Sequence, residues 1–157
     1  MITPQNPCQD IEISALMPLI SRIMCHARQQ ASLTYKDLGY DLSPETVDTL
    51  MTIHHLDGLS QSQLADILGK DKAAVTRILN TLVKNNLVER VQDLDDRRII
   101  RANITEEGKK AFITIAPKLK ELSCHILNNV DIKDFDTTLS VLTQIIDNMY
   151  YLPSRKL

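Results

Sequence analysis

"KAAVTRILNTLVKNNLVERVQDLDDRRIIRANIT", residues 72–105, changes its hydrophobic period part-way along, and that change decides the fold. Val75, Ile78, Leu79, Leu82 and Val83 recur three and four residues apart, which is the stripe of an amphipathic helix. After Asn85 and Asn86 the period falls to two. "LVERVQ" and "RIIRANI" alternate; in the second, Ile100, Ala102 and Ile104 point one way while Ile99, Arg101 and Asn103 point the other. Two such strands joined by "DLDD" predict a β-hairpin, with Arg97 and Arg98 starting the return strand.

Upstream, "SQSQLADILG" (60–69) carries a capping box, in which Ser60 and Gln63 can each satisfy the other's free backbone N–H. Leu64, Ile67 and Leu68 are expected to face the core, and Gly69 ends the helix. Only Lys70 and Asp71 separate it from the next helix, which Asp71 can cap. A short helix, a glycine-bearing turn and a longer amphipathic helix make a helix-turn-helix pattern. With a hairpin following at once, the pattern becomes a winged helix.

Further out, residues 12 to about 35 read as a long helix with Leu16, Ile20, Ile23, Met24 and Ala27 on its stripe, interrupted by Gly39. "LSPETVDTLMTIHHLDG" offers Ser43 as cap, Pro44 at the first helical position, a stripe of Val47, Leu50 and Met51, and Gly58 as its close. Thr105 caps another long helix with Phe112, Ile115, Leu119, Leu122 and Ile126 on its stripe and a kink expected at Pro117. A last helix, from about Asp134 to Tyr150, presents Phe135, Leu139, Leu142, Ile146 and Met149. The expected fold is mainly α with a small β-hairpin wing: a winged helix-turn-helix lobe over 38–105 and a helical lobe from 1–37 and 106–157.

A length of 157 residues, 43% hydrophobic and 24% charged, allows one compact domain or one domain with an elongated appendage. The net charge of −2 hides an uneven distribution. Between Gly69 and Arg101 eight basic residues meet five acidic ones, a net of +3, and the remainder carries ten against fifteen, a net of −5. Such concentration is what a local electrostatic footprint requires. The amino-terminal stretch "MITPQNPCQD" has no basic start or apolar run, and no stretch approaches the ~18 apolar residues of a membrane span, so a cytoplasmic protein without membrane contact is expected. Cys8, Cys25 and Cys124 stand at no metal-ligand spacing and are expected as free thiols.

Together "GLSQSQLADILGKDKAAVTRILNTLVKNNLVER", "DDRR" and "ITEEG", within Leu42–Gly108, resemble the MarR family of bacterial transcriptional regulators. That family's hallmark is a wing with Asp-x-Arg, a few strand residues, and Leu-Thr-x-x-Gly; Asp96, Arg98 and "ITEEG" keep the order and spacing. Two departures stand out. Asn86 replaces a usual glycine, and asparagine tolerates the left-handed conformation. Ala73 and Ala74 replace small hydroxyl residues, which leaves the base preference open, since alanine can only pack on a thymine methyl.

The resemblance implies a homodimer on double-stranded, pseudo-palindromic DNA, with the helical lobe as the dimerisation lobe, repression as the outcome, and a small-molecule effector between the two lobes. Ala73, Thr76, Arg77, Asn80 and Lys84 share a helix face with Lys72 at its edge; Thr76 and Arg77 are the leading base contacts implied, Lys72 and Lys84 phosphate contacts. A solvated helix face is the plainer reading of the same pattern. Ser60, Gln61 and Gln63 sit at a helix N-terminus suited to a phosphate, or serve as caps alone.

Arg97 and Arg98 suit the minor groove, and the resemblance implies that Asp96 accepts from the Arg98 guanidinium and holds its pose. Asp93 and Asp95 read as solvated loop residues. Tyr35, His54 and His55 are candidate effector-pocket residues by the same resemblance. Cys25 reads as a small buried hydrophobe or, as in some relatives, a redox-sensing thiol. No cofactor or metal is expected: the wing lacks the glycine and terminal glutamate of a calcium loop, and neighbours such as Cys25-His26 diverge on a helix. No nucleophile–base pair or phosphate loop points to an enzyme. A winged helix serving as a protein-interaction module is the competing reading.

Overall fold

The computed structural model describes residues 13–150; Cys8 and the terminal stretches 1–12 and 151–157 of the expected helical lobe lie outside the described residues. The chain runs α1 (Ile13–Asp37), α2 (Pro44–His55), β1 (Leu59–Ser60), α3 (Gln61–Leu68), α4 (Lys72–Lys84), β2 (Val88–Gln92), β3 (Ile100–Ile104), α5 (Glu106–Ile126) and α6 (Ile132–Tyr150). It divides into two compact units between Leu122 and Ser123, within α5. This is the mainly helical winged helix-turn-helix expected.

Local chemistry sets the boundaries in the first unit. Ser43 caps α2 by accepting from the Thr46 N–H at 3.2 Å. The capping box of α3 is complete: the Ser60 hydroxyl accepts from the Gln63 N–H at 3.3 Å, and Gln63 Oε1 accepts from the Ser60 N–H at 2.9 Å. Gly69 closes α3 in the left-handed conformation, and the Asp71 carboxylate caps α4 through the Ala74 N–H at 2.7 Å. Asn86 takes φ +56° between α4 and β2, so the asparagine does what a glycine would there.

The sheet is antiparallel in the order β1-β3-β2, with Leu59 opposite Ala102 and Val88 opposite Ile104. Two details depart from expectation. β1 is a third strand, too short to show alternation in sequence. The hairpin connection runs from Asp93 to Ile99, so Arg97 and Arg98 lie in its last turn, closed by Ile99 N–H donating to the Asp96 carbonyl at 2.9 Å, and the return strand begins only at Ile100.

Val47, Leu50 and Ile53 of α2, Leu64 of α3, Val75, Leu79 and Leu82 of α4, Val88 and Ala102 of the sheet, and Ile115 of α5 form one buried core, with Tyr35 of α1 packed into it. Ile67 is not part of it; it is 51% exposed. Leu64, Ala65 and Leu68 define the covered side of α3, and at ~100° per residue Ile67 lies more than a quarter-turn away. Val83, at 39% exposure, sits beside the α4 stripe for the same reason. Ile23 and Met24 of α1 are also exposed.

Gly108 fixes how α5 begins. A Cβ there would stand 2.1 Å from the Leu87 carbonyl oxygen and 2.7 Å from Ile104 Cγ1. Thr105 ties the same junction: its hydroxyl donates to the Asn86 carbonyl at 2.7 Å and accepts from the Gly108 N–H at 3.0 Å. The second unit contains α6, which exposes Leu139, Ile146 and Met149 and half-covers Phe135 and Leu142.

Candidate nucleic-acid interface

With Val75, Ile78, Leu79 and Leu82 buried, the helical period turns Ala73, Arg77, Asn80 and Lys84 outward, and all four are exposed. Lys72 is exposed at the edge of that face. Arg77 also lines a small cleft of about 150 Å³ with Glu45, Thr46, Ala74, Ile78 and Thr81. The nearby carboxylate of Glu45 is occupied by Lys70 in an ion pair, whose hydrogen bond lowers the Glu45 pKa from its ordinary value.

Thr76 is placed differently from Arg77. It is half-buried, and its hydroxyl donates to the Lys72 carbonyl at 2.7 Å. The Gln61 amide nitrogen donates both to that hydroxyl and, at 3.1 Å, to the Lys72 carbonyl. Gln61 and Thr76 therefore strap α3 to α4, and Arg90 of β2 reaches the Thr76 carbonyl at 3.4 Å. Ser60 and Gln63 are held in the capping box, at the rim of the same surface.

The wing brings its arginine to this surface. Arg98, Ile99 and Ile100 line a cleft of about 430 Å³ with Ser60, Gln61, Ser62 and Lys72. The N-terminus of α3, the start of α4 and the wing thus share one concavity with two cations in its wall. Lys72, Arg77, Lys84, Arg90, Arg97 and Arg98 have no ion pair among the described residues. An anionic partner would find these charges uncommitted.

The acids of the wing are assigned otherwise than expected. Asp96 does not hold the Arg98 guanidinium; its carboxylate accepts the Arg98 backbone N–H at 2.9 Å, because a two-residue separation in a tight turn brings the main chain within reach first. Asp93 is no idle loop residue. One oxygen accepts the N–H groups of Asp95 and Asp96, both at 2.9 Å, and the other pairs with Arg101 of β3. Asp96 N–H, the Arg101 guanidinium and Asp95 N–H, in that order, hold the Asp93 pKa down at about 2. Arg101 also donates to the Gly58 carbonyl at 2.9 Å, fastening the wing to the turn before β1. Asp57 accepts the Ile104 N–H at 2.9 Å from the same turn. Arg101 on the outward face of β3, within cross-strand reach of an acid at the loop's start, was the available sequence signal for Asp93.

Tyr35 lies in the core, and burial, then the neighbouring Asp48 charge, push its pKa up to about 12. His54 stacks on Phe112 of α5 with ring centroids 3.6 Å apart, and His55 meets the same ring edge-on at 5.4 Å. The Nδ1 of His54 is buried without a hydrogen-bond partner among the described residues. Neither cleft described above is lined by Tyr35, His54 or His55. Cys25 is exposed, not the small core residue expected, because it falls on the open side of α1 with Ile23 and Met24. Among the described residues no helix is long and apolar enough to cross a membrane.

The MarR family model matches residues 42–100. YdgJ of Bacillus subtilis, an HTH-type transcriptional regulator, is 27% identical over 108 residues, 69% of this chain and 66% of that protein. The crystal structure of a MarR/EmrR family transcriptional regulator from Acinetobacter sp. ADP1 superimposes with a TM-score of 0.79 at 18% identity, covering 90% of this chain and 99% of that one. A mutant of S. aureus MepR bound to an oligodeoxyribonucleotide superimposes with a TM-score of 0.57 at 21% identity, covering 86% of this chain and 98% of that one. Residues 42–100, which the MarR family model matches, fold here as a winged helix-turn-helix.

Proposed function

We propose that this chain is a DNA-binding transcriptional regulator, acting in the cytoplasm as a homodimer on a pseudo-palindromic operator. The observation that carries this reading is the cleft in which Lys72 at the start of α4, the N-terminus of α3 and Arg98 of the wing meet, both cations without an ion pair among the described residues, with Arg77, Asn80 and Lys84 exposed further along α4. An α-helix fits the major groove, where Arg77 and Asn80 offer bidentate contacts to guanine and adenine, and Ala73 packs on a thymine methyl. Lys72, Lys84 and the end of α3 at Ser60 and Gln61 contact phosphates. Arg97 and Arg98 enter the adjacent minor groove. Thr76 acts mainly by holding the helix, since its hydroxyl is already engaged.

The lobe over 38–105 reads DNA, and the segments 1–37 and 106–157 pair two copies. Apolar side chains exposed on α1 and α6, among them Ile23, Met24, Leu139 and Ile146, support a second copy covering them. Two reading helices then lie about one DNA turn apart, ~34 Å, in successive major grooves. Repression by occupancy of the operator is the simplest output, and it needs no catalysis. An effector releases the DNA from the side of α2 and α5, where the unpartnered Nδ1 of His54 supports contact with a ligand's polar group. Oxidation of Cys25 is the alternative input, supported by its exposure.

The test is selection of bound duplexes from a random library, followed by titration of the enriched duplex at several salt concentrations. Affinity should fall steeply with salt, and Arg77→Ala should cost roughly ten- to a hundredfold while relaxing preference at one base pair. If no duplex is enriched, or affinity is insensitive to salt, the surface serves a protein partner instead and the reading fails.

A further inference from the structure

The wing tip carries an apolar side chain that none of the described residues covers. Leu94 is 97% exposed, and the next large apolar side chain in order of exposure is Ile113 at 68%. Its position is fixed rather than incidental. Asp93 beside it is clamped by two backbone N–H groups and by Arg101, so the loop presents Leu94 at a braced corner.

Charge alone does not draw this tip to DNA. Asp93, Asp95 and Asp96 balance Arg97, Arg98 and Arg101, so the wing has a net charge of zero. With no net positive charge on the wing, affinity beyond what Arg97 and Arg98 themselves supply needs a different source. A leucine supplies one that salt does not screen, because burying its side chain releases water rather than counterions. The tip extends from the same loop as Arg98, which lines the cleft with Lys72.

We infer that Leu94 is a DNA contact: an apolar wedge that enters the minor groove beside Arg97 and Arg98 and loosens the stacking of the base step beneath it. The inference rests on the reading under Proposed function and adds to it a residue that acts by burial instead of charge. It makes part of the affinity salt-independent and favours operators with an easily unstacked pyrimidine–purine step at the wing.

The experiment uses the duplex enriched by the wild-type chain from a random library, with 2-aminopurine placed in turn at the steps flanking each half-site. Wild-type protein should raise the fluorescence at one step per half-site. Leu94→Ala and Leu94→Ser should abolish that rise and weaken binding roughly tenfold at every salt concentration, with the slope of log K against log salt unchanged. Because Leu94 is uncovered, neither variant should alter thermal unfolding, so a folding defect cannot imitate the result. Affinity within twofold of wild type, or a fluorescence rise that survives in the variants, overturns the inference and gives the tip to another partner. If the wild-type chain itself enriches no duplex, the parent reading has failed and takes the wedge with it.

Discussion

Replacing Gly108 with alanine tests the junction on which the wing and α5 are built. The added Cβ would lie 2.1 Å from the Leu87 carbonyl oxygen, where ordinary contact begins at 3.4 Å, so the backbones must part by more than about 1 Å. They are not free to part. The Leu87 carbonyl accepts the Thr105 N–H at 3.1 Å, and the Thr105 hydroxyl reaches the Asn86 carbonyl at 2.7 Å. Overpacking against backbone, which cannot swing aside as a flexible side chain would, falls in the upper part of the usual range, about 2–3 kcal/mol, offset by about 1 kcal/mol because alanine is the better helix former. The net is a loss of roughly 1–2 kcal/mol, and with about 2–4 °C per kcal/mol for a chain of this size, Tm should fall by about 2–8 °C. Thermal unfolding followed by circular dichroism, with a urea titration beside it, measures this directly. A Tm equal to or above wild type would refute the close approach of α5 to Leu87 as the reason for glycine at this position.

Arg98→Ala should weaken binding to the enriched duplex several-fold and lower the salt slope by about one, with the dimer intact by sedimentation; an unchanged slope would remove Arg98 from the interface. Gln61→Ala removes the amide that bridges α3 and α4. It should cost about 1 kcal/mol of stability and shrink the affinity ratio between enriched and scrambled duplexes, with little change in salt slope. A variant that keeps the full ratio would mean that the strap does not set the pose of α4. Asp93 titrates at about 2 in the folded chain against an ordinary 3.8, so its stabilisation is fully present above about pH 4 and is lost as pH falls toward 2. Asp93→Asn should therefore flatten the acid limb of the stability profile relative to wild type; parallel profiles would show that the carboxylate's charge plays no part in bracing the wing.

What could be read from the sequence was what a few neighbouring residues decide. The period change after Asn86, the capping box at Ser60 and the cap at Asp71 each depend on side chains within about one turn, and each stands in the fold as read. The outward face of α4 followed from 3.6-residue geometry once its stripe was identified. Ile67 failed because apolar spacing alone does not say where the centre of a helix's covered side falls; that was set by Ala65, a residue too small to register as part of a stripe. β1 escaped because two residues become a strand only by pairing with Arg101 and Ala102, far along the chain. The wing acids show the same limit most clearly. Asp93, Asp95 and Asp96 are chemically identical, and adjacency favoured Asp96 as the partner of an arginine. The β2–β3 register instead sets Val91 opposite Arg101, which swings that guanidinium toward the start of the loop and makes Asp93 the brace. Arg97 and Arg98 are thereby left without acidic partners among the described residues, so the ion pair that braces the wing is also what keeps its tip cations available to a duplex.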